Sequence, residues 1–135
     1  MNIEKALTIL KDAGYKYTDK RESILTFFEQ EDRYRTARDL LDYMEEHYKG
    51  ISFDTIYRNL NLFTELEILE STELEGEKLY QLSCADHHHH HFICRTCGMT
   101  QEIDLCPMED IVKELQNYLI EDHKFEIYGL CPVCH

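Results

Sequence analysis

The sequence predicts an α+β chain in two unlike parts: a winged helix-turn-helix domain over residues 1–82 and a small α/β domain over residues 87–135, joined by a hinge at 83–86. Three observations carry this. Apolar residues recur at helical spacing in four stretches before residue 66, and two β-prone runs joined through a glycine follow at once. Beyond Ser83 the composition turns abruptly to His and Cys, with five consecutive histidines from His87 to His91 and two C-x-x-C pairs, Cys94/Cys97 and Cys131/Cys134.

The elements follow in order. Ile3, Ala6, Leu7 and Leu10 recur as i, i+3, i+4 and i+7, and Gly14 ends that first helix. A second starts near Thr18/Asp19, with Glu22 spaced for a capping box after Asp19, and buries Ile24, Leu25 and Phe28. Thr36 opens a third, whose inner face is Ala37, Leu40, Leu41 and Met44. Ser52 caps a fourth that buries Ile56, Leu60 and Phe63 and ends near Leu66. Its outward face carries Asp54, Tyr57, Arg58 and Asn61, either a solvated surface or side chains that reach bases and phosphates. Ile68 to Leu74 and Lys78 to Leu82, joined through Glu75-Gly76-Glu77, read as a hairpin. Helices followed by a hairpin is the order of a winged helix, with the fourth helix for the major groove and the hairpin as wing. The second part reads as strands at His88 to Cys94, Met99 to Asp104 and Phe125 to Leu130. Between the last two lies a helix from Pro107 that buries Met108, Ile111, Val112, Leu115 and Leu119.

The net charge of −13 argues by itself against a nucleic-acid partner, but its distribution reverses that. Residues 1–66 carry ten Lys and Arg against thirteen acids, and residues 67–135 carry four against fourteen. The first part can therefore present a basic face, while the acidic, His- and Cys-rich second part attracts cations. No apolar run approaches the ~20 residues of a membrane helix, and no secretory leader is evident, so reduced cysteines and a cytoplasmic location are expected.

Two C-x-x-C pairs at the ends of one segment read as a single tetrahedral all-cysteine zinc site, with two disulfides as the alternative. In a strand over His88 to Cys94, His89 and His91 share one face and His88 and His90 the other, so one strand can serve two sites. The histidine run is internal, unlike a purification tag, and a solvated polar run is its alternative. Cys84 is a soft third donor for His89 and His91, with Glu70 of the hairpin as a carboxylate to complete a tetrahedron. Cys106 reads as a buried apolar thiol. A zinc hydrolase or deaminase would need an open metal position and a general base, and neither H-E-x-x-H nor H-x-E with P-C-x-x-C occurs. A zinc buffer or metallochaperone would use the histidine run but leave the fourth helix and the wing without a role.

The segments 14–21 (GYKYTDKR), 52–60 (SFDTIYRNL), 87–98 (HHHHHFICRTCG) and 131–134 (CPVC) together resemble the ferric uptake regulator family, and within it the zinc-responsive branch, over essentially the whole chain. The resemblance implies a repressor of zinc-uptake genes that binds a palindromic double-stranded DNA operator as a metal-loaded homodimer, with no small organic substrate and no membrane partner. It places structural Zn2+ on Cys94, Cys97, Cys131 and Cys134, and a regulatory hinge site on Glu70, Cys84, His89 and His91. A third site falls on His88, His90, Glu109 and His123, in the domain that the resemblance makes the dimerisation domain. DNA contacts fall on Lys16, Tyr57 and Arg58, with Asn61 beside them on the same helix. Iron- and peroxide-sensing relatives tend to have His where this chain has Tyr34 and a carboxylate where it has Cys84, which favours zinc over iron, manganese, nickel or peroxide.

Overall fold

The computed structural model describes residues 1–83 and 88–135. Cys84 and most of the expected hinge lie outside the described residues. The chain divides into two compact units, Met1–Ala85 and Asp86–His135.

The first unit holds α1 (Ile3–Asp12), α2 (Asp19–Glu29), β1 (Arg35–Thr36), α3 (Ala37–Glu45), α4 (Phe53–Glu65), β2 (Leu69–Leu74) and β3 (Glu77–Leu82). Each helix starts on a side chain that accepts from an otherwise unpaired backbone N–H: Asn2 from Lys5, Thr18 from Arg21, Thr36 from Asp39 and Ser52 from Thr55. The capping box forms at Thr36/Asp39. At α2 the expected Asp19/Glu22 box gives way to Thr18, and the Glu22 carboxylate accepts from the Tyr17 hydroxyl instead. Gly14, at φ +90°, ends α1, and the next N–H, of Tyr15, reaches back 2.9 Å to the Leu10 carbonyl.

The helices close over one core in which Ile24, Leu25, Leu40, Ile56, Leu60, Phe63 and Ile68 are fully buried. The β2–β3 hairpin turns through Glu75 and Gly76, at φ +53° and +82°, the two positive values a tight twisted turn needs. β3 also pairs with β1, Thr36 facing Leu79. This gives a three-stranded sheet in the order β1-β3-β2. A two-residue strand has too few positions to show alternation, so β1 leaves no pattern along the chain.

The second unit is a sheet in the order β5-β4-β6, from β4 (His90–Cys94), β5 (Thr100–Ile103) and β6 (Glu126–Gly129), with α5 (Met108–Glu114) between the last two strands. β4 pairs antiparallel with β5 and parallel with β6. The core is small: Ile93, Cys94 and Cys131 are buried, beside His90 and His91. The helix expected to reach Leu119 stops at Glu114 and buries none of its residues. Ile111, Val112 and Leu119 are 37%, 48% and 86% exposed, so the apolar stripe expected to face inward lies at the surface of this unit.

Candidate metal centres and nucleic-acid interface

β4 ends on Cys94 and β6 on Gly129, which lies level with Cys94 in the parallel pair. Both C-x-x-C turns therefore emerge at the same end of the sheet. The four sulfurs lie within 4.8 Å of one another, with Cys97 and Cys131 3.8 Å apart. That matches the edge of about 3.8 Å in a tetrahedron with Zn–S bonds of about 2.3 Å. Among the described residues the five cysteines are free thiols, so the disulfide alternative is not the arrangement found. Burial opposes a charge on Cys94, but backbone N–H groups of Cys97, Cys131 and Thr96 outweigh it and bring the thiol to about 6. Cys131 is also lowered against its burial, by the Val133 N–H first, whereas Cys134 is pushed up to about 12, chiefly by its hydrogen bond with Cys131. Four close sulfurs that share protons in this way fit a divalent cation that replaces those protons.

A second group forms at the opposite end of the same strand pair. In the β4–β6 register His91 is level with Glu126, so His88 is level with His123, and their Nε2 atoms are 3.1 Å apart. In the β4–β5 register His90 faces Ile103, so His88 comes level with Leu105 and the next residue is Cys106. The Cys106 sulfur lies 3.3 Å, 3.4 Å and 3.7 Å from the Nε2 atoms of His88, His90 and His123. This group contains Cys106 and not Glu109, which stays exposed in the first turn of α5. Cys106, expected as a buried apolar thiol, is only half-buried and faces three imidazoles. The sequence held one signal for it: a cysteine just past the partner strand of the histidine run, ahead of a helix-starting proline. Burial first, then the neighbouring His88 and His123, lower the His90 pKa, which keeps the ring in the neutral form that binds metal.

On the other face of β4, His89 and His91 stand ring to ring at 4.9 Å. His89 Nδ1 is 3.4 Å from a Glu102 oxygen, and Glu102 faces His91 across the β4–β5 pair. Sequence reasoning missed Glu102, since an acid on a strand carries no mark of what the next strand holds. Glu70 belongs to β2 of the first unit, where its carboxylate accepts from Gln81 Nε2 at 2.7 Å. Tyr34 is buried at 5% exposure.

In the first unit, α4 turns Ile56, Leu60 and Phe63 inward and presents Tyr57, Arg58 and Asn61 to solvent. Phe53 stacks on Tyr57 at 6.0 Å and the Arg38 guanidinium lies over Phe53 at 5.6 Å. Arg38, Phe53, Tyr57 and the wing's Lys78 line one groove, which extends the expected surface by two cations. Lys16 is exposed just before α2, and its carbonyl accepts from Arg21 Nη1 at 2.6 Å. Cations and aromatics on an exposed helix and the neighbouring wing suit a phosphate backbone and base edges.

Residues 12–128 match the ferric uptake regulator family. The chain is 54% identical over 134 residues to the ferric uptake regulation protein of Staphylococcus epidermidis, covering 99% of this chain and 97% of that one. The Vibrio cholerae ferric uptake regulator superposes with a TM-score of 0.69 at 32% identity, covering 92% of this chain and 98% of that one. A zinc uptake regulator solved with zinc and DNA gives 0.73 at 25% identity, covering 97% and 91%. With its helices, sheets and four-cysteine cluster, the chain belongs to the ferric uptake regulator family of metal-responsive transcriptional regulators.

Proposed function

We propose that this chain is a cytoplasmic repressor that binds a palindromic operator in double-stranded DNA as a homodimer, senses ferrous iron, and carries a structural zinc on Cys94, Cys97, Cys131 and Cys134. The choice of iron rests on the 54% identity, over nearly all of both chains, to a protein named for ferric uptake regulation. The zinc expectation rested on Tyr34 and Cys84. His89, His91 and Glu102 support the revision, because two imidazoles and a carboxylate are a donor set suited to Fe2+. Glu70 and Cys84 are the further donors expected for this effector site. The exposed apolar residues of α5 support the homodimer, since such a stripe is stable when a second copy covers it. Tyr57, Arg58, Asn61 and Lys16 are the DNA contacts in this reading, with Arg58 on phosphate and Tyr57 against a thymine methyl.

A second reading, zinc as effector, is favoured by Cys84 beside the histidine run, since a thiolate prefers zinc. Two variants separate the readings when metal-dependent operator binding is measured without oxygen. With iron as effector, Glu102→Gln weakens the response to Fe2+ about tenfold or more, and Cys84→Ser, which replaces a sulfur donor by an oxygen donor, weakens it less. Loss of a zinc response in Cys84→Ser, with Glu102→Gln unaffected, selects the zinc reading.

A further inference from the structure

The β4–β6 pair is the only parallel pairing among the described strands, and it spans four residue pairs, from His91/Glu126 to Cys94/Gly129. Parallel strands are ordinarily covered on both faces, but β6 leaves Ile127 43% exposed and α5 buries nothing. So little apolar burial calls for another source of stability. At one end of the pair stand the four cysteines. At the other stand His88, His90, Cys106 and His123, whose ligand atoms lie within 4.8 Å of one another.

A tetrahedral zinc with Zn–N of about 2.05 Å and Zn–S of about 2.3 Å separates two nitrogens by about 3.3 Å and a nitrogen from a sulfur by about 3.6 Å. The group shows 3.1 Å between the Nε2 atoms of His88 and His123 and 3.3 Å, 3.4 Å and 3.7 Å for its N···S separations, with all four ligand atoms within 4.8 Å of one another. The fit is to four protein ligands with no open position, and one thiolate with three imidazoles suits borderline-soft zinc better than the carboxylate-preferring cations. From this geometry we infer that Cys106 is a metal ligand, and that His88, His90, Cys106 and His123 form a closed His3Cys zinc site that clamps the end of the β4–β6 pair opposite the four cysteines. It ties in the chain between β5 and α5 through Cys106 and the chain ahead of β6 through His123. The inference does not depend on which metal is sensed.

The test is zinc content. Full-length protein, with and without single substitutions, is stripped, reloaded with zinc under reducing conditions, equilibrated with a weak chelator, and its zinc per chain counted beside an amide spectrum that reports folding. Cys106→Ala is expected to lose one zinc per chain, and Glu109→Gln none. An undiminished count in Cys106→Ala, or a lost ion in Glu109→Gln, overturns the assignment. Should Cys106→Ala fail to fold, cobalt loading of the unaltered chain decides. A tetrahedral cobalt with a weak, single-sulfur charge-transfer band beside the stronger four-sulfur one is expected, and the four-sulfur band alone overturns it.

Discussion

Arg58, proposed above as a phosphate contact, is held only loosely within the chain. Its guanidinium pairs with Asp54 one turn earlier on α4, and both side chains are 76% exposed. Such a pair contributes at most about 1 kcal/mol, so a DNA phosphate can displace the carboxylate. Arg58→Ala is expected to weaken operator binding and to lower the slope of log affinity against log salt by about one, read by anisotropy titration at several salt concentrations. Asp54→Ala should tighten binding by up to about fivefold, because the competing carboxylate is gone. Tyr57→Ala should cost about 1–3 kcal/mol at one operator position and little elsewhere, checked against operators changed one base pair at a time. Legibility at this scale followed locality. The clustering of the four C-x-x-C cysteines and the alternation of the histidines were readable because spacing along one strand or turn places them. Cys106 and Glu102 were not, because strand register delivers them from β5 and beyond.

Helices dominated what could be read at the level of elements, because their caps and their apolar period are both local. α4 carries the clearest case, with Ser52 at its start and Ile56, Leu60 and Phe63 fully buried. Leu60→Ala is expected to destabilise the first unit by about 2–5 kcal/mol through the cavity it leaves. Ser52→Ala should cost about 1 kcal/mol by releasing the Thr55 N–H, and urea unfolding followed by the helical signal measures both. Elements defined by their neighbours were harder. β1 exists because β3 offers a second edge to Arg35 and Thr36. α5 is shorter than its sequence period: it stops at Glu114, with Leu115 partly buried just beyond it and Leu119 86% exposed.

For the whole molecule, the contrast between the units sets the order in which they fail. The first has a continuous apolar core, whereas the second buries few apolar residues and holds its four cysteines at one end of its sheet. Cys94→Ser, or zinc removal by a strong chelator, should therefore unfold the second unit while the first keeps its helical signal, because small domains with little core depend on such staples. Metal control of DNA binding adds a requirement. To move a regulator from 1:99 to 99:1 in favour of its DNA-binding form, the effector must favour that form by about 5.5 kcal/mol, within reach of imidazole and carboxylate ligation. The most direct test is selection of the purified protein against random duplex DNA, in buffered Fe2+ without oxygen and in parallel with buffered Zn2+ and Mn2+. Enrichment of one palindrome with Fe2+, at concentrations where Zn2+ fills only structural sites, is the expected result. A palindrome enriched only with Zn2+ or Mn2+ would contradict the iron assignment, and no enrichment with any metal would contradict DNA-binding regulation by this chain.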